Sequence, residues 1–98
     1  MYKGKKIAVV VPAYNEEKFI ADVINGIPKY VDRVYVVNDA STDKTAEIAN
    51  ALAEREDRIK IISLEQNKGL GGAITTGHSL ALEEMVDLVA IMAGDNQM

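Results

Sequence analysis

Residues 7–17 read Ile7-Ala8-Val9-Val10-Val11-Pro12-Ala13-Tyr14-Asn15-Glu16-Glu17. An unbroken Ile/Ala/Val run closed by a turn residue is the pattern of a strand buried on both faces, as in a parallel sheet. Pro12 has no N–H to give to a ladder, so the strand is expected to end there. Tyr14, Asn15 and Glu16 then fall at the carboxyl edge of a central strand, where open α/β sheets bind their ligands. This stretch is expected to form the floor of a nucleotide site.

Working outward, strand signals lie at 6–12, 33–38, 59–64 and 87–93, with helix patterns at 16–27, 43–56 and 70–85. The order β-α-β-α-β-α-β with short joins predicts an α/β, Rossmann-like, three-layer fold on a parallel sheet with right-handed crossovers. Phe19, Ile20, Val23, Ile24 and Ile27 share one face of the first helix, with Asn15 as its N-cap and Glu16 and Glu17 in its first turn. The second helix starts at Ser41-Thr42-Asp43, with Ser41 and Asp43 read mainly as caps, and turns Thr45, Ala49, Leu52 and Ala53 inward. Its far end, Glu54-Arg55-Glu56-Asp57-Arg58, reads as a solvated charge run. In the third helix Leu70, Ala73, Ile74, Gly77 and Ala81 make a stripe of mostly small residues that permits close approach to the sheet. His78 reads as a surface histidine, and Met85 and Met92 as core filler.

Ninety-eight residues, 48% of them apolar, are enough for one small domain with a real core. The net charge of −4 and the sequence pI near 4.9 argue against a nucleic-acid binder working by bulk charge. There is no cysteine, hence no disulfide framework and no thiolate metal site, which fits a reducing, cytoplasmic setting. No apolar run approaches the roughly 20 residues of a spanning helix. The basic start before a short, Pro-broken run reads as a strand entry, not a signal peptide. The final Gly94-Asp95-Asn96-Gln97-Met98 follows directly on an apolar run. Residues 1–98 are therefore expected to be the first part of a longer protein, which sequence alone leaves free to associate with a membrane. The uncovered sheet edge is expected to make the 98 residues pair as a homodimer.

In a parallel sheet the segments that follow each strand share one edge. Here they are Pro12 to Glu16, then Asn38-Asp39-Ala40, then Gln66-Asn67-Lys68, then Gly94 to Gln97. They bring three acids to that edge: Glu16, Asp39 and Asp95. Carboxylates beside a nucleotide either hydrogen-bond ribose and base or hold a hard divalent cation against a diphosphate.

Four segments, Val-Pro-Ala-Tyr-Asn-Glu-Glu, Val-Val-Asn-Asp-Ala-Ser-Thr-Asp-Lys-Thr, Asn-Lys-Gly-Leu-Gly-Gly-Ala-Ile-Thr-Thr-Gly and Ala-Gly-Asp-Asn-Gln-Met, together resemble family 2 glycosyltransferases, and among them the dolichyl-phosphate mannose synthase-like branch. The resemblance implies a GT-A fold, here its truncated N-terminal nucleotide-sugar-binding part. It implies an enzyme that transfers a sugar with inversion from a nucleoside-diphosphate donor to a polyprenyl phosphate or a saccharide, with Mg²⁺ or Mn²⁺. The fragment alone is expected to be inactive, because the acceptor half and any general base lie beyond Met98. Carried over by position, Pro12, Ala13, Tyr14 and Glu16 hold the nucleotide, with Tyr14 on the base and Glu16 on the ribose. Asp39 reads the base. Asn38 stands where an acid is common and brings no charge. Asp95 matches the last acid of the metal motif, whose first acid is replaced by Ala93, and Gln97 matches a position that supplies a ligand oxygen.

Lys68 is a further nucleotide-site candidate. It is followed by Gly69-x-Gly71-Gly72, which resembles a phosphate loop but lacks the third glycine of a dinucleotide fingerprint, since position 74 is Ile. Close helix–sheet packing is the preferred reading of these glycines. A nucleotide-sugar pyrophosphorylase would want a Gly-rich, Arg-containing loop after the first strand, and a phospho-receiver an acid pair there. Neither is present. A nucleotide-sugar pyrophosphorylase, disfavoured by that loop, and a non-catalytic Rossmann-like nucleotide-binding module are the alternatives.

Overall fold

A computed structural model describes residues 3–92. The elements alternate throughout: β1 (Ile7–Ala13), α1 (Ile20–Asn25), β2 (Arg33–Asp39), α2 (Thr45–Arg55), β3 (Ile59–Leu64), α3 (Gly69–Glu83) and β4 (Leu88–Ile91). All pairings are parallel and the strand order is β3-β2-β1-β4. The chain steps outward from β1 to β3, then returns to the other side of β1. That reversal creates a switch point between β1 and β4, the place in an open α/β sheet whose carboxyl side commonly takes a ligand.

Alternation along the strands divides the core in two. Val9, Val11, Val34 and Val36 face α1 and α2, where Ile20, Ile24 and Ala49 meet them. Ala8, Val10, Tyr35 and Val37 face α3 through Ala73 and Ala81. Every residue of β1 is buried, as its unbroken apolar run predicts. The small-residue stripe of α3 does what its spacing predicts, most visibly at Gly77. A Cβ there would stand 2.5 Å from Val10 Cγ1 and 3.3 Å from Val10 Cβ. Val10 is β-branched and stiff, so only glycine lets the helix lie this close.

Four local expectations are corrected. First, β1 does not end at Pro12, which pairs in register with Val37, and Ala13 pairs with Asn38. Val10 gives its carbonyl to Met92 on the β4 side, so Pro12, two residues on, turns its nitrogen the same way, beyond the last described rung of Val10 and Ile91. The missing N–H therefore costs the β1–β2 ladder nothing. Second, α1 starts at Ile20, not at residue 16, and Asn15 is not its cap. Asn15 takes φ +51°, in the left-handed region, and the Glu16 carbonyl opens the turn by accepting from Phe19 N and Ile20 N at 2.9 and 2.8 Å. Phe19 is consequently exposed, not inward.

Third, the charge run is not wholly solvated. Arg58 is half-buried and donates to the carbonyls of Pro28, Val31 and Ile27 at 2.7, 3.0 and 3.2 Å, pinning the α1–β2 connection to the start of β3. Fourth, Met85 and Met92 are not core filler. Met85 sits at φ +59° in the turn after α3 and is 83% exposed, and Met92 is exposed at the end of β4. His78 lies on the surface, as expected.

The amino edge of the sheet is closed by its own side chains. Asp32 Oδ2 accepts from Ile7 N at 2.8 Å, and Asp87 Oδ2 accepts from Lys6 N at 2.7 Å. Glu84, at the end of α3, accepts from the Tyr35 hydroxyl at 2.5 Å, pairs with Lys60, and has Arg33 Nε at 3.5 Å. Lys6 Nζ donates to the Glu84 carbonyl at 3.0 Å. The bonds from Lys60 and then Tyr35 hold the Glu84 carboxyl below the usual range, whereas burial and the Glu84 bond push the Tyr35 phenol up. Every acid named at this edge is committed to the fold.

Candidate functional site

The carboxyl edge is built differently: three loops leave it and hold one another. β1 ends at Ala13 beside Asn38, and Asp39, the last residue of β2, stands opposite Leu64 of β3. Tyr14, Asp39 and Lys68, remote in the chain, are thereby brought to one rim.

Asp39 is 3% exposed, and its Oδ1 accepts from Lys68 N at 2.7 Å. Asn67 Nδ2 donates to the Asp39 carbonyl at 3.4 Å, while Asn67 Oδ1 accepts from Gly69 N at 2.9 Å. A buried carboxylate thus fastens the β3–α3 loop to the end of β2. Asn38 is also turned inward: its Oδ1 accepts from Ser41 N at 3.2 Å, and its amide reaches Ser63 Oγ at 3.5 Å. An amide suits that position, because it donates and accepts at once. Ala40 follows at φ +58°, a left-handed turn made without glycine.

The glycines in the first turn of α3 do not pack on the sheet, contrary to the sequence reading; that contact belongs to Gly77. Gly69 makes a left-handed turn at φ +74°. At Gly72 a Cβ would stand 2.5 Å from Lys68 Cβ, so its absence makes room for the Lys68 side chain over the first turn of α3. Lys68 itself is exposed at the rim.

The β1–α1 and β2–α2 loops are laced together. Asn15 N donates to Ser41 Oγ at 3.0 Å, Glu16 N to Thr45 Oγ1 at 2.7 Å and Glu17 N to Asp43 Oδ2 at 3.3 Å. In return Asn15 Oδ1 accepts from Thr42 N at 2.8 Å and from Thr42 Oγ1 at 3.3 Å. Asp43 is not the N-cap of α2, which is Lys44 and makes no side-chain cap bond, but its Oδ1 accepts from the N–H of Thr45, the first residue of the helix, at 2.9 Å. Ser41 does not cap the helix either, because its oxygen serves Asn15. Partial burial acts to raise the Asp43 pKa, but the bonds from the Thr45 hydroxyl and amide and from Glu17 N outweigh it and hold the carboxyl below its ordinary value.

Pro12 and Ala13 are buried in the floor, Glu16 is half-buried, and Tyr14 is 47% exposed, its ring free to meet a flat partner. Asp95 and Gln97, the expected metal ligands, lie outside the described residues. Among the described residues no group of three His, Cys, Asp or Glu side chains gathers to hold a metal ion. Among the described residues, too, no helix is long and apolar enough to cross a membrane.

The comparisons with known proteins agree with this architecture. Residues 8–98 match the family described as glycosyl transferase family 2. A UDP-N-acetylglucosamine–dolichyl-phosphate N-acetylglucosaminyltransferase of Methanococcus voltae is 35% identical over 95% of the chain. Among solved structures, a mannosyltransferase of Pyrobaculum calidifontis in complex with GDP-Man and Mn²⁺ superposes with a TM-score of 0.72 at 27% identity over 79% of the chain. Glucosyl-3-phosphoglycerate synthase of Mycobacterium tuberculosis, with Mn²⁺, UDP and glucosyl-3-phosphoglycerate bound, does so with a TM-score of 0.72 at 32% identity over 94%. The chain spans 42%, 24% and 34% of these three proteins. Four parallel strands with helices on both faces, matched to part of GT-A glycosyltransferases, bear out the expected fold. By its match over nearly its whole length, the chain belongs to glycosyltransferase family 2.

Proposed function

We propose that residues 1–98 are the N-terminal, nucleotide-sugar-binding part of an inverting glycosyltransferase catalytic domain. The observation that carries this reading is the rim itself: Asp39 bound to the Lys68 amide, beside the laced loop of Tyr14 to Glu17, at the carboxyl edge of a parallel sheet. Tyr14 offers a flat apolar face and a polar tip to the base. Asp39 keeps one carboxylate oxygen beyond its bond to Lys68, and that oxygen accepts from a ring N–H of the base. Glu16 takes the ribose hydroxyls, and the Pro12-Ala13 backbone forms the floor beneath. Lys68 reaches the diphosphate as a mobile positive charge.

In the reaction an acceptor oxygen attacks the anomeric carbon from the face opposite the diphosphate. The new C–O bond forms as the bond to the β-phosphate oxygen breaks, and the electron pair leaves with the nucleoside diphosphate. The acceptor is a polyprenyl phosphate, whose oxygen is already ionised, or a saccharide hydroxyl, which needs a base from the acceptor half. A divalent cation, Mg²⁺ or Mn²⁺, supplies positive charge against the leaving diphosphate when bound, and Asp95 and Gln97 are the residues assigned to hold it. The Mn²⁺ in the complexes of the structural relatives supports a divalent cation in the reaction. The relative named for a dolichyl-phosphate acceptor supports a lipid-phosphate acceptor.

Half-exposed Leu88 and Ile91 on the edge strand β4 support pairing of the isolated 98 residues with a second copy, which a sedimentation run at high concentration tests. For the function itself the test is saturation-transfer NMR with UDP or GDP and Mg²⁺ on the 98-residue chain. Weak, saturable transfer to the base protons is expected, with none to acetyl phosphate. Equal or absent transfer from all three contradicts the reading.

A further inference from the structure

Three consecutive backbone amides of the β1–α1 loop, those of Asn15, Glu16 and Glu17, each donate to a side-chain oxygen of the β2–α2 loop or of Thr45, the first residue of α2. The acceptors, Ser41 Oγ, Thr45 Oγ1 and Asp43 Oδ2, lie 26 to 29 residues further along the chain. These amides lie ahead of α1, which starts at Ile20 and has no side-chain cap bond of its own. The left-handed turn at Asn15 presents the three donors outward, and Asn15 Oδ1 closes the lace by accepting from Thr42. At its centre is a relay. Glu16 N donates to the Thr45 hydroxyl, and that hydroxyl donates to Asp43 Oδ1 at 2.5 Å. Thr45 is fully buried, so the Asp43 charge acts on the relay with little screening by water.

From this geometry we infer that Ser41, Asp43 and Thr45 are positioning residues for the nucleotide loop, beyond any service to α2. The inference rests on the nucleotide reading given above. None of the three touches the ligand. They fix the backbone that carries Tyr14 and Glu16, so the ordering cost of that loop is met before binding and not during it. Tyr14, which takes no part in the lace and stays exposed, is left free to meet the base.

The test uses the full chain with three variants, Thr45→Val, Thr45→Ser and Ser41→Ala. Two quantities are read by NMR well below the thermal midpoint: hydrogen exchange at the Asn15, Glu16 and Glu17 amides, and the Kd for UDP and GDP with Mg²⁺. Thr45→Val is expected to speed exchange at Glu16 and to raise Kd about tenfold, the value of one lost hydrogen bond of this kind. Thr45→Ser keeps the oxygen and is expected to restore both. Ser41→Ala, at a half-buried site, is expected to free the Asn15 amide and weaken binding in a fold that tolerates the change. A merely structural role lowers thermal stability without moving Kd in the folded variant, and unchanged Kd in folded Thr45→Val and Ser41→Ala overturns the inference. Should the wild-type chain bind neither nucleotide, the nucleotide reading fails. The lace is then judged on exchange alone, and fast exchange at all three wild-type amides overturns it.

Discussion

Asp39 Oδ1 and the Lys68 amide, 29 residues apart in the chain, meet at 2.7 Å at the carboxyl edge of the sheet. A buried carboxylate that ends one strand thus sets where the loop after the next strand stands. Replacing it separates structure from recognition. Asp39→Asn keeps an acceptor for Lys68 N and is expected to cost less than about 1 kcal/mol of stability. Asp39→Ala removes the acceptor and is expected to cost about 1.5–3 kcal/mol, the range for a bond to a charged group. Both are expected to weaken nucleotide binding, because both lose the anionic oxygen offered to the base. Urea denaturation alongside nucleotide titration checks the pair, and an Asp39→Asn protein that binds as well as wild type contradicts the role given to Asp39.

Gly77 is expected to tolerate no side chain. Its hypothetical Cβ lies 2.5 Å from Val10 Cγ1, and Val10 is locked in the middle of the central strand. Gly77→Ala is expected to destabilise by about 1–3 kcal/mol even though alanine favours helices, because α3 must lift off β1. Gly71, with nothing within 4 Å of its hypothetical Cβ, provides the control, and Gly71→Ala is expected to be neutral or slightly stabilising. Thermal melts of the two variants decide this.

Ala40 turns the chain at φ +58° directly after Asp39. Left-handed backbone costs a non-glycine residue about 1–2 kcal/mol, and glycine gives part of that back as extra freedom in the unfolded chain. Ala40→Gly is therefore expected to stabilise by about 0.5 kcal/mol, a rise in Tm of about 3 °C. A fall in Tm contradicts this account of the turn.

Glu84 carries the expected acid dependence. The bonds from Lys60 and Tyr35 and the nearby Arg33 charge hold its carboxyl below the usual glutamate range, while Lys6 bonds only its backbone carbonyl. An acid whose folded-state pKa is depressed stabilises the fold fully above its ordinary pKa. That contribution disappears as the pH falls through the lower, folded-state value. The stability gap between wild type and Glu84→Gln is thus expected to be widest near neutral pH and to close as the pH drops below about 4. Urea midpoints at several pH values check it, and a gap that does not change with pH contradicts it.

The parts of this fold legible in the sequence are those written as local pattern. The run Ile7 to Val11 is apolar at every position because β1 is covered on both faces, so its place at the centre of the sheet was readable without neighbours. The stripe Ala73, Gly77, Ala81 named the face of α3 because small residues at helical spacing serve close packing. What sequence could not show is which partner a polar group chooses. Asn15 ahead of two glutamates has the chemistry of an N-cap, but its oxygen goes to Thr42 and its amide to Ser41. Ser41 likewise serves the neighbouring loop, and Arg58 leaves a charge run to bind three carbonyls. Each choice depends on which segment the sheet order brings alongside, and that is tertiary information. Pro12 misled for a related reason: a proline ends a strand only where its nitrogen faces a ladder, and here it faces past the last described rung of β4.

The central claim is that Tyr14, Glu16, Asp39 and Lys68 border one nucleoside-diphosphate site. Mapping the amide resonances of the ¹⁵N-labelled chain during titration with UDP and GDP in the presence of Mg²⁺ tests it most directly. The account predicts saturable shifts concentrated at Tyr14 to Glu17, Asp39 to Ser41 and Asn67 to Gly69, with Lys6, Arg33, Lys60 and Glu84 at the opposite edge unmoved. Saturable shifts centred on the Glu84 edge, or none at either edge, contradict it.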